Sequence, residues 1–323
     1  MTWYPLTFEP ILLEKIWGGQ HLNQLKNIQP PIDQLGESWE ISTVPGKVSV
    51  VDNGDLKGHN LQQLLDTYPE KILGARLAAL YGNKFPLLIK FINAAQDLSI
   101  QVHPDDEMAG NQHNSFGKSE MWYVMDARPG SQLTIGFENN VDELAFAKAV
   151  QNKTLPQLLN NIEARQGDAY MIAPGTVHAI GAGITLAEIQ QSSDITYRVY
   201  DYDRKDSKGN TRELHIDAAM KASNLAAGAD HKLAYDVTQT GIQTLESNQY
   251  FTTRIAQFTG QFEVPHTADF FTILINVGVA VNILHDGNSY RCHHTQTYLL
   301  PAAMNPSVTI ECDTEARVLI VTV

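Results

Sequence analysis

The stretch Asp97-Leu98-Ser99-Ile100-Gln101-Val102-His103-Pro104 decides how this chain is read. A β-strand sends successive side chains to opposite faces, so Ser99, Gln101 and His103 form one row and Leu98, Ile100 and Val102 the other. A polar row backed by an aliphatic row describes a strand with one side in a core and the other flooring a pocket. An ordinary half-exposed strand has the same pattern. Outward from it, β-rich runs punctuated by Gly, Pro, Asn and Asp recur at 47–51, 86–93, 121–127, 168–172 and 184–190. From Phe251 the chain reads almost wholly β, with strands expected over 270–277, 280–285, 297–300, 307–311 and 318–323 and a hairpin at Asp286-Gly287.

Two longer helical stretches interrupt this pattern. One covers 61–80, where Leu61, Leu64, Leu65, Ile72, Leu73, Leu77 and Leu80 recur at three- and four-residue steps and Pro69 breaks the run. The other covers 142–160 and is interrupted at Pro156; a third helix is expected over 216–227, after an exposed loop at 204–213. Regular βαβ alternation is missing, which argues against a doubly wound parallel sheet. The expected fold is mainly β: a β-sandwich body with helical insertions over 1–240, then a smaller β-sandwich over 241–323.

Composition narrows the function. The chain has 323 residues, 43% of them apolar and 18% charged, enough to bury a large core or two ordinary ones. A net charge of −13 argues against general binding to nucleic acid or to an anionic membrane, since both need a basic footprint. An anionic substrate would need a locally positive pocket. Cys292 and Cys312 are too few for a secreted disulfide scaffold; they read as two free thiols or one hairpin disulfide. Met1-Thr2-Trp3-Tyr4-Pro5 lacks the basic start and apolar run of a signal peptide, and no apolar stretch approaches membrane-spanning length. The expectation is a soluble, cytoplasmic protein, with its oligomeric state left open.

Chemistry-bearing residues cluster near strand ends. Glu120 opens a strand after Gly117-Lys118-Ser119, and His178 follows the turn Pro174-Gly175. With His103 they make one carboxylate and two imidazoles on three separated strands, which converge only if the sheet curls into a sandwich or barrel. Such a nitrogen and oxygen set suits Zn²⁺ and tolerates other divalent ions. Each histidine alone reads as a surface or capping residue. Glu188, Gln190 and Arg198 share strand parity, although a turn at Ser192-Ser193-Asp194 would void that count. Alone, Arg198 reads as a salt-bridged strand arginine, Lys118 as a loop lysine and Ser99 as a strand serine without a nucleophile elbow around it. His113 falls in a polar loop, His293 and His294 point to opposite faces, and Asp201, Asp203 and Arg204 read as a solvated strand end. Neither a dinucleotide fingerprint nor a Walker loop occurs.

Gln101-Val102-His103-Pro104, Lys118-Ser119-Glu120, Pro174-Gly175-Thr176-Val177-His178-Ala179 and Tyr197-Arg198 resemble, in order, the motifs of type I mannose-6-phosphate isomerases. Trp17-Gly18 and Gly36-Glu37-Ser38-Trp39 are similar to that family's N-terminal signatures, with Gly-Glu-Ser-Trp where long forms carry Ala-Glu-Leu-Trp. The length resembles the short bacterial branch. The resemblance implies a cupin (jelly-roll) fold with one zinc ion per chain, held by Gln101, His103, Glu120 and His178. It further implies Arg198 as the catalytic arginine and Ser99, Lys118, Trp17, Glu37, Lys90 and Glu188 as substrate contacts. The implied reaction interconverts mannose 6-phosphate and fructose 6-phosphate through an enediol, on a small phosphosugar rather than a macromolecular partner. Competing readings are a metal-dependent cupin oxygenase, which would prefer His-rich iron ligation, and a non-catalytic sugar-binding or regulatory cupin, which would have lost Arg198 or a ligand.

Overall fold

The computed structural model describes residues 2–206 and 208–323. Its centre is a six-stranded antiparallel sheet in the order Ile11–Gly19, Leu35–Ile41, Leu87–Ala94, Ile184–Gln191, Glu120–Ala127 and Ala169–Ile172. The two-residue period gives this sheet two different apolar faces. Ile92, Trp122, Val124 and Leu186 point into a core shared with Leu133, Ile135 and Ile180 of a facing five-stranded sheet. Ile89, Phe91, Met121, Tyr123, Ala187 and Ile189 point the other way, into a larger core. Burying one such aromatic or aliphatic side chain stabilises the fold by about 1.5–3 kcal/mol. Burial on both faces therefore makes the central sheet a rigid wall.

The facing sheet runs Tyr197–Tyr200, Ile100–Val102, His178–Ile180, Gln132–Phe137 and Leu159–Glu163. Its outer face, with Ile100, Val102, Ala179 and Val199, is covered by helices Glu143–Gln151 and Ile216–Ala222 through Phe146, Ala149 and Ala219. Behind the central sheet, the helices of 61–81 and a seven-stranded C-terminal sheet complete the larger core. There the strand Thr309–Thr322 pairs with Thr252–Glu263, with Val281–His285 near its start and with Thr272–Asn276 near its end. The result is the mainly β, sandwich-based architecture expected.

Local boundaries differ in instructive ways. The stretch 61–80 is three helices, Leu61–Thr67, Pro69–Leu73 and Ala75–Tyr81, because Gly74 at φ +89° breaks it a second time. The helix from Glu143 stops at Gln151; Pro156 lies in a 3₁₀ turn, and Leu159 opens a strand. His113 ends a helix, Asp106–His113, capped by the Asp105 carboxylate on the Met108 N–H; the polar composition concealed it. The helix from Ile216 ends at Ala222, where Asn224 N–H turns to the Gly175 carbonyl. Strand structure begins at Gly241, ahead of Phe251, and the strands expected over 307–311 and 318–323 fall on one long strand, Thr309–Thr322. Asp286 and Gly287, at φ +45° and +75°, make the expected two-residue hairpin turn. Leu98 precedes the strand proper and packs between the sheets, whereas Ile100 and Val102 pack outside them. Both cysteines are free. No helix among the described residues is long and apolar enough to cross a membrane.

Candidate active site

Register aligns two polar rows, one on each sheet of the sandwich. On the five-stranded sheet, Gln101 pairs with Arg198 on one side and His178 on the other. On the central sheet, Lys90 pairs with Trp39 and Glu188, and Glu188 with Trp122. One alternation further along, Gln190 pairs with Glu120. His103 lies just beyond the strand end at Val102, while Glu120 and His178 each begin a strand. All three are about 1% exposed, and their ligand atoms lie within 4.8 Å of one another.

The hydrogen-bond pattern decides what this cluster can hold. His103 Nδ1 donates to the Ile195 carbonyl at 2.8 Å, and His178 Nδ1 donates to the Thr176 carbonyl at 2.9 Å. A carbonyl only accepts, so each ring carries its proton on Nδ1 and presents a bare Nε2. Those atoms lie 3.5 and 3.6 Å from the Glu120 oxygens, neither of which has a directed hydrogen bond among the described residues. Two lone pairs facing a buried carboxylate repel unless a cation sits among them. Lys118 supplies that charge at His103 Nε2 and Glu120 Oε1, and among the described residues His178 Nε2 and Glu120 Oε2, 3.6 Å apart, are left without one. Backbone carbonyls on the far ring nitrogens are also the usual outer support of metal-bound histidines. His103, Glu120 and His178 could therefore hold a metal ion.

Lys118 Nζ supplies nearby positive charge, 2.6 Å from Glu120 Oε1 and 3.1 Å from His103 Nε2. The former is a close ion pair rather than a directed hydrogen bond. Burial alone would raise the Glu120 carboxyl, but the Lys118 ammonium beside it outweighs that and holds it well below the usual range. Burial, reinforced by Lys118, lowers His103, and burial also lowers His178, so both favour the neutral form that ligates.

The remaining expected residues divide by place. Arg198 Nε donates to Ser99 Oγ at 3.2 Å and Nη1 to the Glu213 carbonyl at 3.0 Å. Lys90 lies 2.7 Å from Glu188 Oε1, and Trp122 Nε1 donates to Glu188 Oε2 at 2.8 Å. Burial and the nearby Glu120 charge raise Glu188, whereas three carboxylates offset the burial of Lys90 and keep it charged. Glu37 accepts from Trp39 Nε1 at 2.7 Å and pairs with Lys15 at 3.1 Å. Burial would raise its carboxyl, but Lys90 and Lys15 hold it at about 2. Trp17 instead packs in the apolar cluster with Ile92, Ala94 and Leu98. A Cβ on Gly36 would come within 2.8 Å of its ring, so glycine is what lets the indole lie there. The parity count to Arg198 fails, because 192–196 crosses from one sheet to the other; Arg198 reaches the site beside Gln101.

Asp201 is no solvated strand end. It is buried and binds Arg212 through Nε at 2.7 Å and Nη2 at 2.5 Å, and Arg204 through Nη2 at 2.6 Å. Arg204 also donates to the Asp97 carbonyl, and Lys205 bridges Thr211, so the expected loop is a pinned hairpin ending at the residue whose carbonyl holds Arg198. Burial raises Asp201, but both arginines outweigh it and its carboxyl lies below normal. Its contribution is thus complete above the unfolded value near ~3.9 and is lost as pH falls through the lower folded value. Asp201→Asn should cost about 1–3 kcal/mol at pH 7, discounted because solvent reaches both arginines. In urea unfolding, that gap from wild type should shrink steadily below about pH 4; a gap that stayed constant to pH 2 would contradict this account.

Comparison with known proteins finds a family for the sequence and the fold. A family model described as phosphomannose isomerase type I, catalytic domain, matches residues 6–134. A probable mannose-6-phosphate isomerase of Bacillus subtilis is 33% identical over 303 residues, covering 93% of this chain and 94% of the relative. The mannose-6-phosphate isomerase of Streptococcus mutans is 36% identical over 280 residues, 85% of each chain. A crystal structure of the mannose 6-phosphate isomerase from Bacillus subtilis superposes with a TM-score of 0.88 at 31% identity, covering 99% of both chains.

Proposed function

We propose, from the premise that the chain belongs to the type I phosphomannose isomerases, that it interconverts mannose 6-phosphate and fructose 6-phosphate with a single zinc ion. One observation supports the metal reading most: two proton-free Nε2 atoms and a Glu120 carboxylate with no directed hydrogen bond among the described residues converge in a buried cluster. Gln101 is the fourth ligand. Its Nε2 lies 3.3 Å from His178 Nε2, and a half-turn of the amide presents Oε1 in its place. Two imidazoles, an amide and one carboxylate leave a divalent ion a net charge of about +1, and when bound it supplies Lewis acidity toward a sugar oxygen.

The chain's own residues do the rest. Exchange of a proton between C1 and C2 passes through an enediol and develops negative charge on O1 or O2. Arg198, fixed by Ser99 and Glu213, is placed to stabilise that charge. Lys118 and Ser99 retain the phosphosugar, and Lys90, Glu188 and Glu37 line the wall facing Arg198. Trp17, packed with Ile92 and Leu98 between the sheets, supports that wall. Residues 1–240 form the catalytic unit; 241–323 form a second unit that backs the central sheet through a shared apolar core and ties to the helix Asp106–His113 through Tyr250, whose hydroxyl donates to Asp106 at 2.7 Å. A coupled assay of mannose 6-phosphate turnover tests the reading. Metal-replete protein should turn over, chelation should abolish the rate and Zn²⁺ should restore it. Folded, metal-replete protein without turnover would reject it.

A further inference from the structure

We propose that Gln190 and Gln191, adjacent at the end of the strand Ile184–Gln191, are positioning residues that align the metal ligands of both sheets. The inference rests on the reading that His103, Glu120 and His178 hold a divalent ion. Gln190 is fully buried and faces the site beside Glu120. Its Nε2 donates to the Gln191 carbonyl at 2.9 Å and the Ser193 carbonyl at 2.5 Å. Those bonds curl 191–195 so that the Ile195 carbonyl meets His103 Nδ1 and fixes which nitrogen of that ring is bare. Its Oε1 has no partner among the described residues. An unsatisfied buried acceptor is costly, and an apolar side chain would fill the same volume without it. What the amide adds is the pair of donors.

Gln191 points away from Gln190 and serves the other sheet's ligand. Its Oε1 accepts from the Ser119 N–H at 2.9 Å, one residue before Glu120, and its Nε2 donates to Asp106 Oδ1 at 2.9 Å. Asp106 Oδ1 accepts also from the Gly117 N–H at 2.8 Å, so both ends of the Lys118-Ser119 segment are tied to one carboxylate and one amide. A single strand end thus sets the His103 ring from one glutamine and the start of the Glu120 strand from the next. Outer partners of metal ligands commonly govern affinity by about 10–100-fold.

The test uses the full chain stripped of metal and titrated with Co²⁺, whose visible absorption reports ligand geometry. Gln190→Met keeps the length and removes both donors. It should weaken Co²⁺ binding about 10–100-fold, alter the absorption band, and in the metal-free protein convert His103 from the Nδ1–H form, read by ring ¹⁵N shifts. Gln191→Met should weaken Co²⁺ binding while leaving the His103 form unchanged, because it acts through the Glu120 side. Wild-type affinity in either folded variant overturns the assignment, and so does a wild-type His103 found protonated on Nε2, which needs no variant. Failure of the wild-type protein itself to bind Co²⁺ would instead reject the metal reading beneath it.

Discussion

His103→Ala and His178→Ala should each lose the stoichiometric divalent ion and at least about 10³-fold in isomerase rate, the factor expected when several kcal/mol of Lewis-acid stabilisation disappear. Each substitution removes one bare Nε2 from a set whose ligand atoms span no more than 4.8 Å. The remaining imidazole and carboxylate, with only the weakly donating amide of Gln101 beside them, then hold the ion far less tightly against water. The two variants should behave alike although their histidines sit in different surroundings. His103 follows a strand end and is tied to Ile195, whereas His178 begins a strand and stacks edge-on against Trp122 at 5.3 Å. Elemental analysis after gel filtration reads the metal directly. Full metal content in both variants would refute the site.

Arg198→Ala should lower kcat by about 10²–10³-fold while metal content stays at the wild-type level. The phosphate is charged in ground and transition states alike, so its contacts provide uniform binding and appear in KM. Charge on O1 or O2 exists only as the enediol forms, and a donor aimed there appears in kcat. In the structure the guanidinium is held firmly. Ser99 and Glu213 hold two of its nitrogens, half-burial and the neighbouring Arg212 lower its pKa without discharging it, and Gln101 lies beside it in register. Lys118→Ala should by contrast chiefly raise KM. If Arg198→Ala raises KM and leaves kcat intact, the arginine is a phosphate clamp. Parallel metal analysis separates both effects from loss of the ion, which matters for Lys118 because its ammonium lies against Glu120.

Much of this was legible before any coordinates. Strand alternation around Gln101 and His103, the β-rich runs without βαβ alternation and the ordered motifs pointed to a sandwich with a nitrogen and oxygen cluster, and the three ligand candidates do converge. These are local signals: a two-residue period and a turn residue act within a few positions, so they survive in one dimension. Helix Asp106–His113 escaped because its cap is a carboxylate in an otherwise polar run, and capping is visible only when one knows where the helix starts.

Which residues support the ligands was decided by tertiary structure alone. Gln190 and Glu188 share a face, yet nothing in their spacing says that a crossing at 192–196 will carry the chain to the opposite sheet and bring the Ile195 carbonyl to His103. Asp201 looked solvated because its neighbours in sequence are polar, but its partner Arg212 is eleven residues away and its burial comes from a hairpin folding back. Trp17 lies far from Ile92 and Leu98 in sequence, and only the fold packs its ring against them between the two sheets. The sequence by itself determined which side chains alternate to which face and which groups could ligate. The meeting of two sheets determined which of those groups become neighbours, because burial, pairing and the loss of solvent at a buried carboxylate arise only from contacts between distant segments.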